Sequence, residues 1–136
     1  MTEARPRKQI LLIEDDTSLV RVLRTLLESF GYDVEAVTCG TTGLACIADT
    51  PPDLVILDLG LPDMNGYEVC RRLRQVTNPW MMPVLMLTGR DKPVDQLRGY
   101  AHGADAYLTK PCEPPELLKT IALLLGEPEP HSAPSD

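Results

Sequence analysis

The sequence lacks the features that mark a membrane protein, a secreted protein or a nucleic-acid binder. No apolar run approaches the length of a membrane span, and the opening residues MTEARPRKQ lack the apolar centre of a signal peptide. The four cysteines form no C-x-x-C pair, so neither a zinc site nor a redox motif is indicated. Lys and Arg total 13 against 20 Asp and Glu, and this acidic balance disfavours binding to nucleic acid or anionic membranes. We therefore expect a cytoplasmic protein that contacts neither DNA nor a membrane directly.

The length and composition fit one ordinary domain. The chain has 136 residues, of which 43% are hydrophobic, enough to form a single core. Residues 1–7 are expected to be an N-terminal extension and residues 8–126 the folded domain. The final residues EPEPHSAPSD are rich in proline with no apolar residue able to dock, so residues 127–136 are expected to be a disordered tail or linker.

Short apolar runs alternate with segments of helical period along most of the chain. The runs at residues 9–13, 33–38, 54–57, 84–87 and 106–109 predict five strands, and the alternating run 33–38 is typical of an edge strand. Helices are predicted from Leu19 to Phe30, ending at Gly31, and at residues 41–48, 66–76, 92–103 and 114–125. Five strand-helix units in sequence predict an α/β fold, with a doubly wound five-stranded parallel sheet between two layers of helices.

Charged and hydroxyl side chains follow four of the predicted strands at the points where the strands end. The first strand is followed by Glu14 and Asp15, the third by Asp58, the fourth by Thr88 and the fifth by Lys110. In parallel α/β sheets, ligands bind in the crevice beyond the carboxyl ends of the strands. We therefore expect these five side chains to converge on one edge of the sheet.

The adjacent carboxylates of Glu14 and Asp15 predict a metal site. Neighbouring carboxylates repel each other and lose hydration unless a cation compensates them. Asp16, beside Thr17, is expected instead to cap the following helix. A site made of a few carboxylates and waters, with no His or Cys nearby, suits Mg2+, which Asp15 and Asp58 would hold.

Asp58 has the properties of a nucleophile for phosphoryl transfer. It follows the apolar run LVIL, so its carboxylate should be rigidly placed. A carboxylate that attacks a phosphoryl group forms an acyl phosphate, provided that cations neutralise the accumulating charge. Mg2+ and Lys110 would supply that charge, the Thr88 hydroxyl would contact a phosphoryl oxygen, and Gly89 would leave its amide unobstructed.

Two other functions use similar parts. A phosphatase of the haloacid dehalogenase class also has a strand-end Asp nucleophile with Mg2+, but it needs a second Asp two residues later, where this chain has Gly60. A flavodoxin shares the five-stranded architecture, but its phosphate loop should be rich in Ser, Thr and Gly amides, whereas EDDTS would repel phosphate. Both alternatives are disfavoured by these positions.

Four motifs in order resemble the receiver domain of two-component response regulators: IEDD after the first strand, DLGLPDMNG at residues 58–66, LTG ending at Gly89 and GADAYLTKP at residues 103–111. The resemblance covers about residues 8–126. It implies a flavodoxin-like three-layer sandwich with strand order 2-1-3-4-5. It also implies a phosphorelay protein that receives its phosphate from a histidine kinase or phosphotransfer protein and is not an enzyme beyond its own phosphorylation and dephosphorylation.

The resemblance implies a role for each matching residue. Asp58 would be the phosphoacceptor, Glu14 and Asp15 the acidic pair, with Asp15 the more direct Mg2+ ligand, and Gly60 would offer its backbone carbonyl to the metal. Thr88 would be the switch hydroxyl and Lys110 the phosphate-binding lysine. Tyr107 would be the aromatic residue whose rotamer changes with Thr88, and the Lys110–Pro111 bond would be cis.

The family also implies an output surface, made of the fourth helix, the fifth strand and the fifth helix, which could form a homodimer. The sequence departs from the family at Gly60, where a larger residue is common, and has Arg90 two positions after Thr88. Both positions influence the lifetime of the phosphate in the family. Ala106 and Cys112 stand where the winged-helix transcription factors usually have an acidic residue and Phe. The chain is expected to be either a stand-alone receiver or part of a longer regulator or hybrid kinase.

Overall fold

The computed structural model describes residues 7–76 and 82–128, which form one parallel sheet covered by helices on both faces. The strands are β1 (Gln9–Ile13), β2 (Asp33–Val37), β3 (Leu54–Leu57), β4 (Val84–Thr88) and β5 (Ala106–Thr109). The helices are α1 (Thr17–Ser29), α2 (Gly40–Asp49), α3 (Gly66–Val76), α4 (Pro93–Ala101) and α5 (Pro114–Leu125). The strand order is β2-β1-β3-β4-β5 with every pair parallel, so the predicted fold class and strand order are confirmed.

Several element boundaries differ from the sequence prediction by one or two residues. Strand β4 continues through Thr88, one residue beyond the predicted end. Helix α4 is shorter than the predicted range 92–103, because Lys92 has an extended backbone before the helix and Gly103 has a φ of 107°. A positive φ of this kind ends a helix, since only glycine adopts it without steric cost. These differences leave the order of the elements unchanged.

Asp16 caps α1, as the sequence predicts. Its Oδ1 accepts hydrogen bonds from the backbone amides of Ser18 at 3.0 Å and Leu19 at 3.1 Å. These amides have no acceptor within the helix, so the cap satisfies donors that would otherwise lack a partner. The side chain of Asp16 therefore faces the helix, which separates its role from those of Glu14 and Asp15.

The core lies in two layers, one on each face of the sheet. Leu11 and Ile13 of β1 belong to the layer beneath α2 and α3, whereas Ile10 and Leu12 belong to the layer beneath α1 and α5. This alternation follows from the two-residue period of a strand. All four residues of β3 are buried, which holds the chain that leads into Asp58 between the two layers.

Three further sequence predictions concern the two ends of the chain, membrane spans and the cysteines. The predicted N-terminal extension and C-terminal tail fall mostly outside the described residues, and the domain boundaries at residues 8 and 126 stay predictions. Within residues 7–76 and 82–128, the helices are all too short or too polar to traverse a lipid bilayer. The four cysteines are free thiols, of which only Cys70 is buried.

Helix α2 is capped by a side chain from a distant loop. The carboxylate of Asp63, five residues after Asp58, accepts hydrogen bonds from the backbone amides of Gly40 and Thr41, each at 2.8 Å, and from the Thr41 hydroxyl at 2.6 Å. Cys39, the residue at the N-cap position, makes no side-chain cap. The bonds from Thr41, and after them the amide of Gly40, lower the pKa of Asp63 to about 2. The loop that follows Asp58 is therefore tied to α2.

We expect Asp63→Ala to lower the melting temperature by a few degrees at neutral pH, because α2 loses its cap. A carboxyl group whose pKa falls from 3.8 to about 2 on folding stabilises the fold above pH 3.8 and ceases to do so as the pH drops through 2. The difference between wild type and variant in thermal unfolding should therefore shrink between these values. The control is Asp91→Ala, which removes another exposed loop carboxylate, and equal melting temperatures for the two variants would contradict the cap.

Both ends of the described domain meet the turn between α1 and β2. The guanidinium of Arg7 donates to the carbonyl oxygens of Glu28 at 3.0 Å, Gly31 at 3.1 Å and Tyr32 at 3.1 Å. The Tyr32 hydroxyl donates to the carboxylate of Glu127, just beyond α5, at 2.9 Å. The turn precedes the first residue of β2 and therefore lies at the amino edge of the sheet, opposite Asp58.

Candidate functional site

The register of the sheet brings the predicted site residues together. Ile13 of β1 pairs with Leu57 of β3, and Thr88 of β4 pairs with Thr109 of β5, so the ends are level within each of these two pairs. Leu57 pairs with Met86, so β4 runs two residues past the end of β3 at the same edge. The amide of Asp58 donates to the Ile13 carbonyl at 3.1 Å, which continues the ladder one step past β3. The residues that follow the strands consequently share the carboxyl edge of the sheet, as predicted.

Three carboxylates form a cluster at this edge. One oxygen from each of Glu14, Asp15 and Asp58 lies within 4.8 Å of the others. Glu14 and Asp58 are buried, whereas Asp15 is exposed at the mouth of the cluster. An all-oxygen donor set open on one side fits Mg2+, which keeps several waters and binds through one or two carboxylates. The residues present therefore fit the predicted metal.

Lys110 contacts the buried members of this cluster. Its Nζ donates to Glu14 Oε1 at 2.6 Å and lies 3.5 Å from Asp58 Oδ2. Burial raises the pKa of Glu14 and outweighs the opposing effect of the Lys110 hydrogen bond. Lys110 is thus bonded to Glu14 in this structure and is also within reach of Asp58. The peptide bond from Lys110 to Pro111 is cis.

The two carboxylate oxygens of Asp58 have different surroundings. Oδ1 accepts a hydrogen bond from the amide of Leu59 at 2.8 Å, whereas Oδ2 faces Lys110. A Cβ added at Gly60 would lie 3.7 Å from Oδ2, so a larger residue there would stand beside the carboxylate. With glycine at this position, Oδ2 is less screened than it would be beneath a side chain.

Thr88 and Tyr107 are joined through the main chain of Arg90. The Thr88 hydroxyl oxygen accepts from the Arg90 amide at 3.4 Å, and the Tyr107 hydroxyl donates to the Arg90 carbonyl at 2.8 Å. Both side chains are buried, and burial raises the pKa of Tyr107. The ring of Tyr107 is therefore turned inward. Gly89 has open space around it, since a Cβ there would meet no atom within 4 Å.

The comparison of sequences decides the family. Residues 10–122 match the family described as the response regulator receiver domain, and this range covers most of the chain. The chain belongs to that family. Neither the haloacid dehalogenase class nor the flavodoxins is supported as an alternative for this receiver domain.

Two relatives of the receiver domain are named as a transcriptional regulatory protein and as a DNA-binding response regulator. The alkaline phosphatase synthesis transcriptional regulatory protein PhoP of Bacillus subtilis is 41% identical over 128 residues, which cover 94% of this chain and 52% of PhoP. The DNA-binding response regulator MtrA of Mycobacterium tuberculosis is 41% identical over 115 residues, covering 85% of this chain and 49% of MtrA. The chain spans about half the length of these relatives.

Solved structures show the same receiver fold. A response regulator from Chloroflexus aurantiacus matches with a TM-score of 0.84 at 33% identity, over 90% of this chain and 100% of that one. Together with the strand order, this likeness places the receiver among the CheY-like, flavodoxin-like folds.

The sequence alone did not predict the contacts that three residues near Asp58 make within the receiver. A Cβ at Gly66 would lie 2.5 Å from the Asp58 carbonyl oxygen, so α3 begins in direct contact with the backbone of that residue. Asp63 caps α2, and the hydroxyl of Tyr67 donates to the carbonyl of Asp95 in α4 at 2.9 Å. A glycine at a predicted helix start is a usable signal for close packing, but the partners of the two polar side chains depend on the tertiary arrangement.

Proposed function

We propose that Asp58 accepts a phosphoryl group from a histidine kinase or a histidine phosphotransfer protein in a Mg2+-dependent reaction. The observation that carries this proposal is the cluster of three carboxylates with Lys110 beside it. Three carboxylates this close together repel one another unless a cation lies between them. A bound cation beside Asp58 also favours transfer of an anionic phosphoryl group to it. The side chains of Asp15 and Asp58, with the Gly60 carbonyl, would hold the metal, and Glu14 would complete its acidic surroundings.

The geometry assigns separate roles to the atoms around Asp58. Oδ1 is held by the Leu59 amide, so Oδ2 is the oxygen that attacks phosphorus. An O–P bond forms to Asp58 while the P–N bond to the donor histidine breaks, and the electron pair of that bond stays on the histidine nitrogen. When bound, Mg2+ neutralises and orients the phosphoryl oxygens. Lys110 then moves its charge the short distance from Glu14 toward the phosphoryl group, and the Thr88 hydroxyl donates to another of its oxygens.

The test of this function is phosphorylation by a small-molecule donor. The wild-type chain incubated with acetyl phosphate and Mg2+ should gain the mass of one phosphoryl group, measured on the intact protein. A chelator should suppress the gain, because the carboxylate cluster would then repel the donor. Uptake that is equally fast with the chelator would contradict the metal-dependent site.

The phosphoryl group on Asp58 would control the surface of α4, β5 and α5. It offers a charged acceptor to the Thr88 hydroxyl, and the resulting shift of Thr88 and Arg90 favours the buried position of the Tyr107 ring. The receiver domain of RstA from Klebsiella pneumoniae, described as BeF3-activated, is 32% identical with a TM-score of 0.80, covering 86% of this chain and 97% of that one. This likeness supports the use of beryllofluoride as a phosphoryl mimic here.

We expect Thr88→Ala to uncouple Asp58 from this surface. A hydrogen bond to a charged group contributes about 1.5 to 3 kcal/mol, so its loss changes the ratio of the two states roughly tenfold to a hundredfold. The measurement compares amide chemical shifts of wild type and variant, each with and without beryllofluoride. Identical shifts for both proteins around residues 92–125 would mean that the coupling does not run through Thr88 and Tyr107.

Other properties of the domain follow from the same proposal. We further propose that the receiver is cytoplasmic and that it catalyses only its own phosphorylation and dephosphorylation. It is expected to bind neither DNA nor membranes directly. The apolar residues Val94 and Leu97 on α4 and Leu123 on α5 are exposed by 54%, 70% and 76%. Apolar side chains exposed to this extent suit a homodimer through α4, β5 and α5.

A further inference from the structure

A buried hydrogen bond links α3 to the first turn of α4. The Tyr67 hydroxyl donates its hydrogen to the main-chain carbonyl of Asp95 at 2.9 Å, across 28 positions of sequence. The Tyr67 side chain is almost fully buried, with 7% of the residue exposed. Because water cannot readily replace a partner in such a place, the bond restricts where α4 can begin.

A second tyrosine holds the chain just ahead of the same turn. The Tyr107 hydroxyl donates to the carbonyl of Arg90, three residues before Pro93, the first residue of α4. Farther along the helix, a Cβ added at Gly99 would lie 2.9 Å from the Tyr107 ring, so α4 packs directly on that ring. The first turn of α4 and the loop before it are therefore held at two points by two phenols.

The two phenols lie close together at the start of α4. Burial raises the pKa of both Tyr67 and Tyr107, and each hydroxyl also affects the pKa of the other. The Asp95 carboxylate, which is itself buried, raises both pKa values further. In this structure the buried ring of Tyr107 and the bond from Tyr67 to α4 occur together.

The residue before Tyr67 packs against the backbone of Asp58. This residue, Gly66, donates its amide to the Leu59 carbonyl at 3.0 Å and has no room for a side chain against the Asp58 carbonyl. Helix α3 therefore starts on the main chain of Asp58, and its second residue reaches α4. This route from Asp58 to α4 does not pass through Thr88.

We propose that Tyr67 is a positioning residue of the phosphorylation switch, whose hydroxyl fixes the first turn of α4 in the arrangement that buries Tyr107. The inference rests on the proposed function in one respect, that phosphorylation of Asp58 favours this arrangement. Each bond that belongs only to the favoured state raises the population of that state, and so raises the apparent affinity of the protein for the ligand that binds it. Loss of the Tyr67 hydroxyl should then weaken the binding of a phosphoryl mimic at Asp58.

The experiment is a beryllofluoride titration of Tyr67→Phe at saturating Mg2+, followed by amide chemical shifts. Removing one buried hydroxyl should raise the concentration at half-saturation about three- to tenfold, given the usual contribution of a buried hydrogen bond. The matched control is Tyr32→Phe, which also deletes the hydrogen-bonded hydroxyl of a buried tyrosine, but at the opposite edge of the sheet. Tyr32→Phe should leave the midpoint unchanged even if it lowers the melting temperature.

Hydrogen exchange without any phosphoryl mimic tests the contact separately. Amides of residues 93–101 should exchange faster in Tyr67→Phe than in Tyr32→Phe, because α4 has lost its tie to α3. Unchanged exchange there, or a midpoint for Tyr67→Phe that equals or falls below that of wild type, would overturn the inference. If wild type gives no beryllofluoride response while α4 still exchanges faster in Tyr67→Phe, the proposed function fails and Tyr67 is left as a positioning residue of α4 without a switch.

Discussion

Asp58→Asn is expected to abolish the uptake of phosphate from acetyl phosphate. The amide has no anionic oxygen to attack phosphorus, and the substitution also removes one of the three charges that would hold Mg2+. We expect the initial rate to fall by at least about a hundredfold, since both nucleophile and metal ligand are lost. Intact mass measured over time, at fixed Mg2+ and donor concentrations, gives this rate directly.

The control for Asp58→Asn is Asp53→Asn, which neutralises a carboxylate at the other end of the same strand. Asp53 accepts the backbone amide of Gln9 at 2.7 Å, so its loss tests the effect of disturbing β3 away from the site. Asp53→Asn should keep the wild-type rate. If Asp58→Asn still gains one phosphoryl group at that rate, another residue is the acceptor, and Glu14 and Asp15 would be the first to examine.

Asp15→Asn is expected to weaken Mg2+ binding by about ten- to a hundredfold in the absence of phosphate. The metal would exchange a charged ligand for a neutral one, and the remaining carboxylates of Glu14 and Asp58 are buried with Lys110 already between them. Asp15 is the exposed member of the cluster, so the variant should fold normally. Isothermal titration calorimetry with Mg2+ measures the affinity without relying on a fluorescent reporter near the site.

The neighbouring carboxylate supplies the comparison for that measurement. Asp16→Ala removes the cap of α1 and should lower the free energy of unfolding by about 1 kcal/mol, while Mg2+ affinity changes less than about twofold. We thus expect Asp15→Asn to lower the affinity for Mg2+ and Asp16→Ala to lower the stability of the fold. Equal losses of Mg2+ affinity in the two variants would mean that the acidic pair is Asp15 and Asp16 and that Glu14 has another role.

The convergence of the site could be predicted from the sequence because it depends on few things. Once β1, β3, β4 and β5 are parallel neighbours in one sheet, the residues that follow them must share an edge, whatever the details of packing. The apolar runs predicted the positions of the strands, and Asp58 directly follows one of these runs. The chemistry of the neighbouring carboxylates then indicated a hard cation without knowledge of any distance.

The contacts that join loops and helices could not be predicted in the same way. Asp63 reaches Gly40 and Thr41, and Tyr67 reaches Asp95, only because α2, α3 and α4 lie at particular separations from the loop after β3. Periodicity indicates which face of a helix is buried, but not which carbonyl of another helix a hydroxyl will meet. The early end of α4 likewise depends on the positive φ of Gly103, which a helical pattern does not reveal.

Arg7 and Glu127 meet at the turn between α1 and β2, which brings the first and last parts of the described domain to one corner. Arg7 is bound there by the backbone carbonyls of Glu28 and Gly31, and Glu127 by the Tyr32 hydroxyl, on the edge away from Asp58. Fusion partners joined there would not crowd the acidic pocket. A fusion made through both sides of this corner is therefore expected to leave the carboxyl edge of the sheet, with its acidic pocket, accessible to a phosphoryl donor.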